Sequence, residues 1–414
     1  TNNDICTLSF WIKKTGSSDH AIWSNGSTNA DETNFVFQSS GKFEFKEDVS
    51  SSATFQLITN RVFRDSSAWY HIVIAFDTTQ STSSNRVKLY VNGVQETSFS
   101  TETYPSQNTN VAINSNIAQY IGRRNRATDQ YFDGYLAEMV FVDGQQLLPT
   151  SFGVFNTVSN IWEPRGYAGT YGTNGFRLDF ADSSALGNDV SGNDNDFTVA
   201  NLTSVDQSTD TCSNNFCVLN SLNVPASNQP TFSEGNLTSI TSTDGSSKWG
   251  GCSSIGVSSG KFYCEAKATV DSTSRNVIGI TGNATELART NASILNATHS
   301  WGYYSSDGAV QGNGGGNESG YSTSYTTGDI IGIALDLDNN KLYFSKNGTF
   351  LNSGDPTSGS TGTGAVSIIA ASSTNDGAYF FAQSDDTSGS AVSKFEFNFG
   401  SPPYSISSGN ADAN

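Results

Sequence analysis

Charge is scarce in this chain: Asp, Glu, Lys and Arg make up 14% of its 414 residues, against about 25% in ordinary soluble domains. What charge there is leans one way, with 21 basic and 39 acidic side chains and a formal net charge of −18. The mean field therefore repels phosphate backbones and anionic lipid surfaces, so nucleic acid is not an expected partner. Long apolar runs are missing as well. The best are short pieces such as IIGIALDL (330–337), well under the roughly 18 residues that mark a spanning helix, and no membrane insertion is expected. Helical periodicity is nearly absent; one short helix or turn is expected around QQLLPTSFGVF (145–155), with Pro149 ending any regular pattern. Methionine occurs once, at Met139, and the chain opens at Thr1 without a basic-then-apolar signal segment, which reads as a processed or internal start. The five cysteines, Cys6, Cys212, Cys217, Cys252 and Cys264, form no CxxC pair and have no histidine at metal-ligand spacing, so no zinc site is expected. Cys252 and Cys264 flank a hairpin expected at Ser258, Ser259 and Gly260, so a cross-strand disulfide is geometrically open to them; two separate small buried thiols are the alternative.

What is present is polar without being charged: Ser, Thr, Asn and 40 Gly, with aromatic residues at 12%. Enough aromatic surface exists for a core, which excludes bulk disorder. Period-two alternation dominates, in TLSFWIKK (7–14), NFVFQ (34–38), KFEFK (42–46), RVKLYV (86–91), KLYFS (341–345) and KFEFNF (394–399). Such segments are antiparallel strands with one wet side, and Asn92-Gly93, Asp133-Gly134, Asp143-Gly144 and Asn347-Gly348 between them are hairpin signals. Two stretches share a layout. HIVIAFDTTQSTSSNRVKLYVNGV (71–94) and DIIGIALDLDNNKLYFSKNGT (329–349) each run an apolar strand into an Asp, then a polar loop, then K-L-Y and an Asn-Gly turn. Asp77 matches Asp336 in this alignment, and each is expected to hold loop backbone at a strand end. The expected fold class is all-β: two tandem antiparallel β-sandwiches at 1–155 and 215–405, joined by a Gly/Asp-rich connector with isolated strands (156–214). A further strand begins at 406–414.

The segments TLSFWIKK, VFRDSSAWYHIVIAFDTT, NRVKLYVNGV and YFDGYLAEMVFVDGQQLLPTSFGVF together resemble a concanavalin A-like, laminin-G-type sandwich, in the version found in virion proteins of marine tailed phages. YGTNGFRLDFADSSALGNDVSGNDNDFTVANL and NFCVLNSLN (215–223) are similar to the segment that follows it in those proteins. IGVSSGKFYCEAKA (255–268), VIGIT (277–281), YTTGDIIGIALDLDNNKLYFSKNGTFLNSGDP (325–356) and FEFNFG (395–400) resemble a SPRY-type sandwich. The phage sandwich has an edge strand ahead of the position of Thr7, where only six residues stand here, and SSGNADAN (407–414) looks like the opening of a longer strand. Both ends are therefore expected to lie inside a larger polypeptide. The missing edge is open either to residues upstream or to the connector segment holding Phe176, Leu178 and Phe180.

The resemblance also sets which chemistry to look for. Glycoside hydrolysis needs two carboxylates flanking a bond, and the nearest candidate, KFEFKED (42–48), places Glu44, Lys46 and Asp48 on one strand face with Phe43 and Phe45 on the other. That is the pattern of a solvated face over a core, so no catalytic residues are expected. Of the three histidines, His71 lies inside an apolar strand, as a hydrogen-bonded structural imidazole does. Laminin-G-type sandwiches sometimes carry calcium at a loop rim, which makes Asp189, Asn193, Asp194 and Asp196 the candidate ligands; a solvated turn is the alternative. No other cofactor is expected. For sugar stacking, Trp301, Tyr303, Tyr304, Tyr321 and Tyr325 offer aromatic faces near Gly-rich loops, with core packing as the alternative. The resemblance implies a non-enzymatic component of a virion surface, extracellular, in a tail fibre, baseplate or capsid decoration. Its expected partners are host-surface glycan or protein, other virion proteins and further copies of itself, as in a trimer. A polysaccharide hydrolase (depolymerase) and a purely structural spacer are the rival readings.

Overall fold

Alternating segments become ladders wherever the residue facing the core is large and the next is polar. In a computed structural model, residues 3–404 are described apart from 29–30, 126–129, 244–245, 272–274, 315, 319–320, 322 and 389–390, and the chain divides into two compact units, Thr1–Asn215 and Phe216–Asn414. The segment 406–414 lies outside the described residues.

The strands of the first unit are β1 (Ile5–Lys14), β2 (His20–Thr28), β3 (Asp31–Phe37), β4 (Lys42–Val49), β5 (Ser52–Val62), β6 (Tyr70–Asp77), β7 (Val87–Val91), β8 (Val94–Glu96), β9 (Phe99–Thr103), β10 (Gln119–Ile121), β11 (Gly134–Asp143), β12 (Gly153–Phe155), β13 (Trp162–Pro164) and β14 (Phe176–Leu178). They form two six-stranded sheets, ordered β14-β11-β1-β6-β7-β8 and β10-β2-β3-β4-β5-β9, and a small β12-β13 hairpin. Phe35, Phe37, Phe43, Phe45, Phe55 and Leu57 of one sheet close on Leu8, Phe10, Ile72, Ile74 and Phe76 of the other. Around 145–155 the expected short helix is only a single 3-10 turn, Pro149–Ser151, followed by β12: Pro149 fixes the first φ, and the buried Phe152 draws the chain back onto the sheet.

The stretch expected to be a connector belongs to the first unit. Strand β14 pairs Phe176, Arg177 and Leu178 with Phe141, Val140 and Met139 of β11, so it supplies the edge strand of the first sheet. Other parts of 145–215 cover that sheet's outer face. Trp162 packs with Trp11 and Trp69, and Phe152 packs with Val73, Tyr90, Val140 and Val142. Both faces of β1 and β6 are consequently buried, and their sequences fit: the unbroken run IVIAF (72–76) marks a strand with apolar neighbours on two sides.

The second unit holds β15 (Thr231–Ser233), β16 (Thr238–Ile240), β17 (Ser246–Cys252), β18 (Lys261–Asp271), β19 (Asn276–Thr281), β20 (Ser300–Tyr304), β21 (Val310–Gly312), β22 (Gly316–Glu318), β23 (Ile330–Asp336), β24 (Lys341–Lys346), β25 (Thr349–Phe350), β26 (Val366–Ser367), β27 (Phe380–Ser388) and β28 (Ser393–Asn398). One sheet runs β15-β16-β28-β18-β23-β24-β25, with β26 also on β24; the other runs β17-β27-β19-β20-β21-β22. Between them lie Ile278, Ile280, Tyr303, Ile331, Ile333, Phe344, Phe395 and Phe397. The helix α1 (Ala284–Thr290) caps the outer face of the second sheet through Leu287 and Ala288, against Trp249 and Val277.

Candidate functional site

Three residue sets singled out in the sequence take other roles. The aromatic set is core: Trp301, Tyr303, Tyr304, Tyr321 and Tyr325 are all buried. The Tyr325 hydroxyl donates to the Asn276 carbonyl at 2.8 Å, that of Tyr303 donates to the Thr323 carbonyl, and the rings of Tyr303 and Tyr325 meet at 4.9 Å. Rings satisfied in this way have no face left for a sugar. The correction follows from alternation, since WGYY (301–304) is a strand buried on both sides.

The calcium candidates fold their own loop. Asp189 is buried, and its Oδ1 accepts the backbone N–H of Arg177 and of Ser191, both at 2.8 Å. Its Oδ2 accepts the Ser191 hydroxyl at 2.8 Å and the Asn195 N–H at 3.0 Å. Burial alone would raise this carboxyl, but those donors outweigh it and hold Asp189 below the usual carboxylate range. Asp196 accepts the Asp189 N–H at 2.8 Å, and the Asn193 amide donates to the carbonyls of Gly172 and Gly175. Asp194 is exposed with φ of 57°. Among the described residues no group of three or more His, Cys, Asp or Glu is placed to hold a metal ion. The third set separates by sheet: Cys252 pairs with Ala382 of β27, whereas Cys264 pairs with Ile333 of β23. Both thiols are buried and free, which corrects the disulfide. Burial pushes Cys252 up to about 12 and Cys264 well above its usual value.

A different site stands on the first unit. On the face of β3, β4 and β5 away from the core, the register brings Asn34, Lys46 and Gln56 into one row and Val36, Glu44 and Ile58 into the next, with Glu32 beside Asp48. Glu44 receives the amides of Gln56 at 2.6 Å and Gln38 at 2.9 Å, and Lys46 pairs with Asp48 at 2.9 Å. Arg124, in the segment after β10, grips Glu32 with Nη2 at 2.6 Å and Nε at 3.1 Å. Asn34 beside them is 3% exposed, and its Oδ1 has no hydrogen-bond partner.

At the end of the same strands opens a cavity of about 280 Å³, lined by Asn25, Asp31, Glu32, Glu47, Asp48 and Ala112 among others. Glu47 belongs to the phenylalanine side of β4, at the point where the core ends. Its Oε2 accepts the Ala112 N–H at 2.7 Å and the Thr33 hydroxyl at 3.2 Å, and its Oε1 accepts the Thr54 hydroxyl at 3.2 Å. Burial raises its carboxyl above the ordinary value, against those donors. Asp31 accepts the Ser50 N–H at 2.7 Å. The four carboxylates of this rim are thus each engaged by a donor, and the arrangement offers acceptors and amides in fixed positions, which suits hydroxyl-rich ligands. Sequence reading found the Glu44, Lys46 and Asp48 face and missed Glu47, whose signal was a carboxylate in phase with Phe43 and Phe45. It also missed Asn34 and Arg124, the latter reaching Glu32 only through the fold of the segment after β10.

The fold defines a protein built of two β-sandwich units. Residues 1–145 match the model of the concanavalin A-like lectin/glucanases superfamily in its laminin-G-type form, and residues 246–380 match that of the SPRY domain. The chain therefore carries a laminin-G-type domain followed by a SPRY domain. Similar solved structures include the SPRY domain of human HERC1, at 16% identity over 41% of this chain and 91% of that one, with a TM-score of 0.32. A human SPRY domain is similar at 13% identity over 41% and 94%, with a TM-score of 0.30. The native heptameric SAP-like pentraxin from Limulus polyphemus is similar at 16% over 35% and 65%, with a TM-score of 0.25. No curated protein matches along its sequence.

Proposed function

We propose that the chain is a non-enzymatic binding protein of a tailed-phage virion surface, in a tail fibre, baseplate or capsid decoration, and that its first unit takes a glycan of the host surface. The observation that carries the glycan reading is the polar strand face: Glu44, Lys46 and Gln56, all half-buried, stand together on β4 and β5, beside the cavity at the strand ends. A net charge of −18 favours neutral or amino sugars over polyanionic ones. The virion setting rests on the sequence resemblance, and with it come other virion proteins and further copies of this chain as partners.

A glycan array probed with the whole protein tests the reading, followed by titration of the best neutral oligosaccharide against the unaltered chain and the double variant Lys46→Ala, Gln56→Ala. Binding weakened about tenfold or more in the variant supports it, since each hydrogen bond lost is worth about 1 kcal/mol. Release of reducing ends from host polysaccharide would replace it with a depolymerase. Absence of binding to any glycan and to host cells would leave the structural spacer.

A further inference from the structure

The covered face of the first unit holds a constellation that glycan binding does not use. Lys13, on β1, has a side chain that is wholly buried, and its Nζ donates to Asp210 Oδ2 at 2.6 Å and to Asn215 Oδ1 at 2.8 Å. The Asp210 side chain is 1% exposed, and its other oxygen accepts the Trp69 indole N–H at 2.9 Å. The ring of Tyr135 lies 5.4 Å from the Lys13 nitrogen, and the Asn215 amide nitrogen donates to the Ser67 carbonyl at 2.8 Å. An amine, a carboxyl group and a carboxamide are therefore held in one hydrogen-bonded set with aromatic walls.

Keeping both charges of such a pair out of water costs several kcal/mol per ion. Attack by Lys13 needs its neutral amine, which is the nucleophile, and Asp210, 2.6 Å away, is placed to take the proton. We propose that Lys13 and Asn215 join through an intramolecular isopeptide bond, with Asp210 as the proton shuttle. Lys13 Nζ attacks Asn215 Cγ, and the Asp210 carboxyl gives its proton to Nδ2. The Cγ–Nδ2 bond breaks, ammonia leaves, and Asp210 takes the surplus proton of Nζ, ending as the acid it was. One C–N bond forms for the one that breaks, and no oxidant or co-reactant is consumed. The amine and amide are already in contact, so the step is unimolecular and draws on the high effective concentration of held reactants. Asn215 lies at the exposed edge of the set, which gives ammonia a way out.

The bond would close residues 14–214 into a covalent loop. Asn215 is the last residue of the first unit, so tension entering ahead of Lys13 would pass into the second unit without loading any strand between. This inference stands on the Lys13, Asp210 and Asn215 geometry and does not depend on the glycan reading.

Mass spectrometry of the purified full chain, held folded at neutral pH, tests it. The expected result is an intact mass one ammonia below the sequence mass, and a proteolytic digest in which the peptides bearing Lys13 and Asn215 form one branched species. Asn215→Ala and Asp210→Ala are each expected to return the full mass and separate peptides; should Asp210→Ala fail to fold, the digest of the unaltered chain still decides. Recovery of Lys13 and Asn215 in separate unmodified peptides overturns the proposal. So does an ammonia deficit that maps to a succinimide at an Asn-Gly step such as Asn92-Gly93, or Asn215 recovered as aspartate with Lys13 free.

Discussion

His71 is buried without a charge because both ring nitrogens have partners that fix its tautomer. The Trp162 indole can only donate, and its Nε1 lies 2.9 Å from His71 Nδ1, so Nδ1 is the bare nitrogen and Nε2 carries the proton to Ser9 Oγ at 2.8 Å. Burial pushes this imidazole down to about 3, against about 6.5 in an unfolded chain. The unfolded state therefore binds the extra proton first, and the stability of the first unit is whole above pH 6.5 and falls as the pH drops from there towards 3. The slope expected from this one group is about 1.4 kcal/mol per pH unit. Denaturant melts across that range should show it, and His71→Gln should flatten the curve relative to the unaltered chain; an unchanged slope would mean that His71 does not titrate between the two states. Asp189 is the second residue-scale case. Asp189→Ala leaves the N–H groups of Arg177, Ser191 and Asn195 without their acceptor, and is expected to cost about 2–4 kcal/mol of first-unit stability, whereas added calcium or chelator should leave the melting temperature where it was. Sequence alone showed the structural histidine, because an imidazole inside WYHIVIAFD has few alternatives. It did not separate a metal-binding Asp from a backbone-binding one, since both are Asp and Asn in a Gly-rich loop and only the direction of the N–H groups distinguishes them.

The Asn-Gly hairpins are the elements that sequence described best. In the first unit Asn92 takes φ of 48° and Gly93 80°, and the Asn92 side chain accepts the His71 N–H at 2.8 Å while its own N–H donates to the His71 carbonyl at 2.9 Å. In the second unit Asn347 and Gly348 repeat this at 50° and 83°, with Ile330 in the place of His71 and distances of 2.9 and 2.8 Å. The matching Asp77 and Asp336 accept the N–H of Thr79 and Asn339, both at 3.1 Å. Such a device is legible because a left-handed residue that must also accept a hydrogen bond is nearly always Asn followed by Gly. Asn347→Ala is expected to lower the second unit's stability by about 1–3 kcal/mol, from lost bonding and left-handed strain, with the first unit unmoved; equal loss in both units would contradict it. Strand β14 was harder to place. FRL is too short to declare a partner, and its pairing with β11 depends on Phe176 and Leu178 reaching the core beside Trp23 and Phe141. Leu178→Ser should destabilise the first unit by about 3 kcal/mol or more, because a buried side chain is removed and an unpartnered hydroxyl put in its place; an unchanged first transition in calorimetry would remove β14 from the fold.

For the whole molecule the informative boundary is the one between sandwich and cover. Sequence placed the end of the first domain near residue 155, where the alternating strands stop, because residues 156–214 carry only scattered apolar positions. Those positions do not make a core of their own; they complete one, with Trp162 over Trp11 and Asp210 on the buried Lys13. A chain cut at 155 would leave the outer face of the first sheet bare, exposing Trp11, Val73, Tyr90, Val140 and Val142, an uncovered Lys13, and β11 as an unpaired edge. Losing cover on large apolar side chains costs about 1.5–3 kcal/mol each, so five of them together are comparable to the whole 5–15 kcal/mol by which a domain is stable. An open edge strand also recruits other chains. Residues 1–155 expressed alone should therefore aggregate or stay molten, while 1–215 should give a cooperative melt and a fixed near-ultraviolet circular dichroism signal. If 1–155 folds as well as 1–215, then residues 156–215 are an accessory layer and the first unit is the bare sandwich.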